Sequence, residues 1–319
     1  MKKFGALALV LCLSFALFTA CGSTSSSSSS STEPSAQRTT FRIAGLKGPT
    51  TLGMLKMMGD VQDGTARHDY EVSVYGTADE IVPLIAKGEI DAAMVPANLA
   101  SVLYNSTKGQ VQVAAINTLG VLYMVETGDT VKTVADLKGK TIYTTGKGTT
   151  PEYVLNYVLK QNGLDPEKDV DIQYKSESTE VAAELAKTDK DVIAMLPEPY
   201  VTTVKAKNEN LRTALDMTQE WNKVSDKGAL VTGVLVVRTE FAEQNKAAFN
   251  ELLEDYAASI QFVNNDPAAA AALSEKFNIF PAAVAEKAIP NCNIVYFDGD
   301  EMKEKLSGYL QVLYDQNPK

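Results

Sequence analysis

The chain repeats a short pattern of residues about one hundred positions apart. Residues 47–51 and 147–150 are both turns rich in Lys, Gly and Thr that follow an apolar, strand-like segment. Residues 91–96 and 191–197 both begin with Asp and continue as a short apolar strand that ends at proline. Solenoid repeats have shorter periods, of about 20 to 50 residues. The pattern therefore predicts two similar α/β lobes, and the cleft between them is the natural place for a site.

The first twenty residues have the composition of a secretory signal peptide. Two lysines precede an apolar stretch over residues 6–18, and small residues stand directly before Cys21. Residues 18–21 resemble a bacterial lipobox, in which the cysteine is lipidated after cleavage. An ordinary secretory signal, with an incidental Cys21, is the alternative. We expect residues 1–20 to be a lipoprotein signal peptide and Cys21 to carry the lipid.

A serine-rich segment follows the predicted cleavage site. Residues 22–35 are almost all small or polar and include seven serines in a row. Such a segment has nothing to bury, so we expect residues 21–39 to form a flexible tether. The rest of the chain is long enough for two lobes, and no later apolar run approaches the roughly 18 residues of a membrane span. These features predict a protein on the extracytoplasmic face of a bacterial cell membrane, anchored by lipid.

The composition argues against several classes of function. The formal net charge is −10, and it becomes −12 (28 − 40) once the two lysines of the signal peptide are removed, which argues against a nucleic-acid partner. Cys12 lies in the predicted signal peptide, and Cys21 is the predicted site of lipidation. The remaining Cys292 and the single histidine, His68, give neither a disulfide framework nor a metal-ligand cluster. The sequence also lacks a nucleophile elbow and a P-loop. We therefore predict no catalytic residues, no metal and no cofactor.

The two repeated turns are the main candidate for a binding site. Glycine lets the backbone approach a ligand closely, threonine hydroxyls and free N–H groups donate hydrogen bonds, and a helix N-terminus favours an anion. A lysine beside each turn strengthens this preference. Two well-capped helices with exposed lysines are the alternative interpretation. The candidate ligand-binding residues are Lys47, Thr50 and Thr51 in the first copy and Thr145, Lys147, Thr149 and Thr150 in the second.

The second pair of strand ends differs between the copies. Glu198 lies between two prolines where the first copy has Ala97. Its carboxylate could accept a hydrogen bond from an amino or ring N–H group of a ligand, or Glu198 could be a solvated acid in a loop. Asn98 can cap the next helix at the same edge. Tyr75 ends a predicted strand and could stack on a ring, whereas Trp221 is more typical of core packing. We add Tyr75, Asn98 and Glu198 to the candidate ligand-binding residues.

Together these features resemble the substrate-binding lipoproteins of ABC importers. The resemblance rests on the lipobox, the serine-rich tether, the turn at residues 47–50, the segment VADLKGK at residues 134–140 and the Pro-Glu-Pro loop at residues 197–199. It covers nearly all of the chain after about Thr39. The group it resembles binds nitrate, sulfonates or taurine, and also includes binders of thiamine-precursor pyrimidines.

The resemblance implies an α/β fold of the type II periplasmic-binding-protein class. Two similar lobes would be joined by two crossing segments, near residues 119–123 and 229–234, with the ligand cleft between them. The first lobe would comprise residues 40–120 plus 234–319, including the C-terminal helices, and the second lobe residues 121–233.

The resemblance also implies a function. The protein would be a monomeric receptor, not an enzyme, that captures a small anionic or zwitterionic organic ligand by lobe closure. It would deliver this ligand to a membrane permease and its ATPase. One alternative is binding of a thiamine-precursor aminopyrimidine or a related aromatic. An enzyme like the pyrimidine synthase of the same fold, and a role in adhesion or tethering, are further alternatives.

Overall fold

Two separate β-sheets organise the protein in a computed structural model that describes residues 38–187, 191–225 and 228–316. The predicted signal peptide, Cys21 and the tether up to residue 37 lie outside the described residues. The strands are β1 (Thr40–Leu46), β2 (Asp69–Tyr75), β3 (Ala92–Pro96), β4 (Val111–Thr118), β5 (Leu122–Glu126), β6 (Thr141–Thr144), β7 (Asp171–Tyr174), β8 (Ile193–Pro197), β9 (Arg212–Asp216), β10 (Gly233–Arg238) and β11 (Ile294–Phe297).

The strand order shows how the chain moves between the sheets. The first sheet has the order β11-β4-β10-β3-β1-β2, and the second has the order β7-β6-β8-β5-β9. The chain leaves the first sheet after Thr118, enters the second at Leu122, and returns between Asp216 and Gly233. The predicted crossings, near residues 119–123 and 229–234, overlap these two connections and extend by two residues into β5 and β10. We call the first sheet and the helices packed on it the first lobe, and the second sheet and its helices the second lobe. The residue bounds given above for the lobes stay a prediction.

Helices cover the sheets. They are α1 (Pro49–Leu52), α2 (Leu55–Gln62), α3 (Ala78–Ala86), α4 (Ala97–Ser106), α5 (Thr150–Gln161), α6 (Ser178–Leu185), α7 (Tyr200–Lys205), α8 (Met217–Val224), α9 (Thr239–Gln244), α10 (Lys246–Asn265), α11 (Pro267–Lys276), α12 (Ala282–Ala288) and α13 (Gly299–Gln316), with 3₁₀ turns at Val134–Leu137 and Ile289–Asn291. No helix in the described part of the chain is both long enough and apolar enough to cross a membrane.

Local sequence signals explain where several helices begin and end. Thr77 and Glu80 form a capping box at the start of α3, in which each side chain bonds the other residue's backbone N–H. Pro151 lies in the first turn of α5, where its missing N–H costs nothing. Gly88 and Gly163 follow α3 and α5 with φ of 76°, a left-handed conformation that favours glycine.

The central strands are buried on both faces. In β3 and in β8, the four residues before the terminal proline are all buried. Such continuous apolar strands are typical of sheets that carry helices on both sides. Each fully buried Val, Leu, Ile or Met side chain contributes about 1.5–3 kcal/mol to folding. Burial therefore stabilises these strands, and they position the residues just beyond their carboxyl ends.

The C-terminal helices differ in part from the sequence expectation. Helices α10 and α11 pack on α2 of the first lobe as predicted, but α12 also contacts α7, and α13 contacts α5, in the second lobe. The helical segment that begins at Thr239 is divided into α9 and α10 at Asn245, whose φ of −119° and ψ of 36° are not helical. Trp221 is fully buried, with its ring centroid 4.6 Å from that of Tyr157 and 5.7 Å from that of Tyr309, which agrees with a packing role.

Candidate ligand-binding site

The carboxyl ends of the central strands of the two lobes meet. Asn98, at the start of α4, donates from Nδ2 to the carbonyl oxygen of Gly148 at 3.2 Å. Its Oδ1 accepts from the backbone N–H of Thr150 at 3.2 Å and from the Thr150 hydroxyl at 3.3 Å. At a second place, the Tyr200 hydroxyl donates to the carbonyl oxygen of Lys47 at 3.2 Å. The strand ends that the repeat singles out therefore face each other across the lobes, as ligand-binding edges do in open α/β sheets.

In the first lobe, the candidate threonines have different surroundings. Thr51 is buried and its hydroxyl donates to the carbonyl oxygen of Leu46, so it closes the turn after β1. Thr50 is only 6% exposed, and its hydroxyl has no hydrogen-bond partner among the described residues. Of the two, Thr50 is therefore the one with a free donor. Helix α1 has only four residues, so its dipole adds little beside this hydroxyl.

In the second lobe, the candidate residues surround the start of α5. The Thr149 hydroxyl donates to the carbonyl oxygen of Gly146 at 2.7 Å, and Thr145 shares a hydrogen bond of 3.2 Å with Ser178. Thr150 is buried and receives a hydrogen bond from the Tyr309 hydroxyl of α13 at 3.3 Å, besides those it makes with Asn98. The turn is therefore rigid, and the N-terminus of the twelve-residue helix α5 points to the first lobe.

The two lysines of the repeat are on the rim. Lys47 and Lys147 are both exposed. The Lys147 ammonium lies 5.7 Å from the ring centroid of Tyr174, so it points along the second lobe. The buried polar side chains described here at the facing edges are therefore hydroxyl, amide and carboxyl groups, and neither ammonium group is among them.

Glu198 is buried at 4% exposure and already has hydrogen-bond partners. Its carboxylate accepts from the backbone N–H and the hydroxyl of Thr202, both at 3.0 Å, so it caps the first turn of α7. Burial raises the pKa of Glu198 above its ordinary value, and the bonds from Thr202 only partly offset this. Its backbone N–H donates to the carbonyl oxygen of Val121 in the crossing segment. The position at a strand end agrees with the sequence prediction, and the cap adds a structural role.

Tyr75 is half-buried at the end of β2. Its carbonyl oxygen accepts from the backbone N–H of Lys47 at 2.9 Å, and its side chain packs against a cluster of buried apolar residues to which both lobes contribute. The end of β2 is therefore joined through its backbone to the turn that carries Thr50.

Sequence reasoning missed other polar residues at the same edge. Asn117 and Thr118 end β4, both are buried, and the Thr118 hydroxyl donates to Asn117 Oδ1 at 2.9 Å. Thr232 lies beside them and donates its N–H to the carbonyl oxygen of Thr118 at 3.0 Å. A signal existed in the sequence, because polar residues interrupt otherwise apolar strand segments there, but these residues have no counterpart in the repeat.

The described residues hold no group of His, Cys, Asp and Glu side chains placed to bind a metal. Cys292 is fully buried, and burial raises the pKa of its thiol, which makes it a poor nucleophile.

Comparison with known proteins agrees with this architecture. No curated protein sequence is similar enough to match the chain. A solved ABC transporter protein from Parabacteroides distasonis is 24% identical with a TM-score of 0.71, over 88% of this chain and 94% of that chain. The alkanesulfonate-binding protein SsuA from Xanthomonas axonopodis pv. citri, bound to MOPS, is 15% identical with a TM-score of 0.68, over 88% of this chain and 94% of that chain. The nitrate-binding protein NrtA from Synechocystis PCC 6803 is 16% identical with a TM-score of 0.61, over 83% of this chain and 75% of that chain.

These relatives share the type II periplasmic-binding-protein fold with this chain, which confirms the predicted fold class. A family model described as the periplasmic substrate-binding protein of a phosphonate ABC transporter matches residues 53–283. Family and neighbours are binding proteins, so the enzyme alternative is not supported. The chain therefore belongs to the family of extracytoplasmic substrate-binding proteins that serve ABC transporters of the phosphonate type.

Proposed function

We propose that this receptor captures a small organic ligand with one anionic end, either a plain anion or a zwitterion, by closing its lobes. The observation that carries the proposal is that buried, uncharged polar groups lie at the facing edges: Asn98 and Thr150 bond each other across the lobes, and the Thr50 hydroxyl has no partner among the described residues. Such groups suit the oxygen atoms of a sulfonate, a carboxylate or nitrate. The helix dipole of α5 favours the same charge. In this proposal the protein is a monomer, anchored by lipid at Cys21, that delivers its ligand to a permease and its ATPase.

The charges at the facing edges support a singly charged anion rather than a dianion. Of the buried polar side chains described above at these edges, only Glu198 carries a charge, and it is negative. The two lysines lie on the rim, where water screens their attraction for a buried ligand. A phosphonate dianion would lose more hydration than a sulfonate and gain no buried cation in return. A zwitterion could also place its ammonium group beside the Glu198 carboxylate, which would accept a hydrogen bond from it.

A matched panel of ligands tests the proposal. Thermal shift and calorimetric titration of the mature protein would use nitrate, taurine, propane-1-sulfonate, 2-aminoethylphosphonate and an aminopyrimidine. We expect a sulfonate to bind, and taurine to bind tighter than 2-aminoethylphosphonate at pH 8, where the phosphonate carries its second charge. Preference for the phosphonate dianion, or no binding by any member, would contradict the proposal.

Glu198 provides a prediction for the cationic end of a zwitterion. In Glu198→Gln, we expect the affinity for taurine to fall about 10-fold or more, because a hydrogen bond to a charged group contributes about 1.5–3 kcal/mol. Propane-1-sulfonate has no amino group, so its affinity is expected to change less than about 3-fold by the same reasoning. Calorimetry with the two ligands measures the difference.

Asp216→Asn is the matched control for this variant. Asp216 also ends a strand and caps a helix, since its carboxylate accepts from the N–H groups of Thr218 and Gln219. We expect this control to lose stability and to keep its affinity for both ligands. If Glu198→Gln behaves in the same way, Glu198 is only a cap, and the ligand contact assigned to it is wrong.

An aminopyrimidine or a related aromatic is the second candidate ligand. The observation that favours it is the buried carboxylate of Glu198 close to the aromatic residue Tyr200, whose ring centroid lies 5.5 Å from that of Phe280. A carboxylate can pair with the amino group and ring nitrogen of such a ligand, while an aromatic side chain stacks on it. Tighter binding of the aminopyrimidine than of every sulfonate in the panel would favour this candidate.

A further inference from the structure

We propose that Thr232, in the segment that returns from the second lobe to the first, is a ligand-binding residue that works as a pair with Thr50. The two hydroxyls would donate to one oxyanion group of the ligand, a sulfonate or a carboxylate. This inference rests on the proposed function and adds a residue to its site that the sequence repeat does not contain.

The first observation is that both hydroxyls are unsatisfied. The Oγ1 atoms of Thr50 and Thr232 are shielded from solvent and have no hydrogen-bond partner among the described residues. Neighbouring buried threonines are different, because the hydroxyls of Thr51 and Thr118 donate to Leu46 and Asn117. Buried polar atoms in folded proteins almost always have partners, and an exception calls for an explanation such as a functional role or a bound ion or water. Two such exceptions at one edge therefore indicate a ligand group.

The second observation is that the backbone of Thr232 is held on both sides. Its N–H donates to the carbonyl oxygen of Thr118 at the end of β4, and its carbonyl oxygen accepts from the N–H of Ala97 at the start of α4, both at 3.0 Å. The main-chain groups therefore have partners, and only the side chain is left without one. A donor held this rigidly loses little entropy when it binds a ligand.

The third observation concerns the next residue, Gly233. A Cβ atom added there would lie 2.5 Å from Thr50 Cγ2 and 2.5 Å from Asn117 Oδ1. Thr50 therefore packs directly against the returning segment, and only glycine leaves room for it. This contact places Thr50 against the residue that directly follows Thr232.

The chemistry of the pair fits an oxyanion. Each hydroxyl can donate one hydrogen bond and neither carries a charge, so the pair stabilises a singly charged group without requiring a second negative charge on the ligand. Because Thr232 lies in a crossing segment and Thr50 in the first lobe, a ligand that bonds both also ties the crossing to that lobe.

The test is the replacement of Thr232 by valine, which has the same shape without the hydroxyl. Using the panel member that binds the wild-type protein most tightly, we expect Thr232→Val and Thr50→Val each to weaken binding about 10-fold. The melting temperature of the ligand-free protein is expected to stay the same or to rise, because an unsatisfied buried hydroxyl is removed. Thr232→Ser keeps the hydroxyl, and we expect its affinity to stay within about 3-fold of wild type.

Thr107→Val is the matched control. The Thr107 hydroxyl donates to the carbonyl oxygen of Leu103 at 2.6 Å, far from the facing edges at the C-terminal end of α4. We expect this variant to lose stability and to keep its affinity, the reverse of Thr232→Val. If the wild-type protein binds a panel member and Thr232→Val binds it equally well, or if Thr232→Ser is as weak as Thr232→Val, the assignment of Thr232 is wrong. If the wild-type protein binds no panel member, the proposed function itself fails, and this inference with it.

Discussion

Replacing Asp91 by asparagine is expected to lower the free energy of unfolding by about 3 kcal/mol, the low end of the cost of breaking a buried ion pair. The Asp91 side chain is 1% exposed and accepts hydrogen bonds from the guanidinium groups of Arg42, at 2.7 and 2.9 Å, and of Arg238, at 3.1 Å. These contacts tie β1, β3 and β10 together at the edge away from the ligand site. Arg42 and Arg238 are partly exposed, so water would offset part of the loss. Urea denaturation at pH 7 measures the change.

The Asp91 carboxylate also makes the free energy of unfolding depend on pH. Burial by itself would raise the pKa of Asp91, but the hydrogen bonds from Arg42 and Arg238 outweigh it and hold the pKa below its ordinary value. The stabilisation is therefore fully present above the ordinary aspartate pKa of about 4 and is lost as the pH falls through the lowered value. Below about pH 4 we expect the wild-type protein to lose stability more steeply than Asp91→Asn.

Asp191 is the control that the chain itself provides. It occupies the position of Asp91 in the second copy of the repeat, but it is exposed. We expect Asp191→Asn to change the free energy of unfolding by less than about 0.5 kcal/mol, as surface substitutions usually do. A loss at Asp191 as large as that at Asp91 would show that burial and the two arginines are not the cause.

Asp91 and Asp191 also show what a sequence repeat predicts and what it does not. The spacing correctly indicated two similar α/β lobes, because the apolar runs after each aspartate form the buried central strands β3 and β8. The partners of Asp91 come from outside its copy, since Arg238 follows the second crossing. Long-range contacts of this kind leave no local pattern in the sequence.

The strands β9 and β11 have little signal in the sequence, for a related reason. Both are short edge strands of five and four residues, with many half-exposed positions. A strand of this kind has no continuous apolar run, and its alternation is too short to recognise. Pairing with β5 and β4, already fixed by burial, holds them in the sheets.

The candidate site shows the same limit. The repeat predicted Thr50 and Thr150 as candidate ligand-binding residues, and both are buried at the facing edges. The repeat did not show that the Lys147 ammonium lies beside Tyr174, and it did not single out Thr232. The direction of a side chain on a turn and the path of a crossing segment depend on the assembled lobes. Residues of the repeat could therefore be named as site candidates from the sequence, whereas a candidate in a crossing segment, such as Thr232, could not.

Asn98 is expected to control affinity rather than stability. Its side chain forms three hydrogen bonds across the lobes, to Gly148 and to two groups of Thr150. Removing them in Asn98→Ala should cost the closed arrangement about 2 kcal/mol, since single hydrogen bonds contribute about 0.5–1.5 kcal/mol each. If the lobes open and close as proposed, this weakens ligand binding by about 30-fold, because 1.4 kcal/mol corresponds to a factor of ten. Calorimetry with the best panel ligand, and small-angle scattering of the ligand-free protein, measure affinity and opening.

Tyr200→Phe is the comparison variant, because it removes only the single bond from the Tyr200 hydroxyl to the carbonyl oxygen of Lys47 at the second contact. We expect it to weaken binding by less than about 5-fold and to leave the ligand-free protein nearly as compact as wild type. A gain in affinity for Asn98→Ala would contradict the prediction. It would mean that the Asn98 amide oxygen occupies the N–H of Thr150 in competition with the ligand anion, so that its removal frees the N-terminus of α5. Unchanged affinity together with an unchanged scattering profile would show that the three bonds do not hold the lobes together.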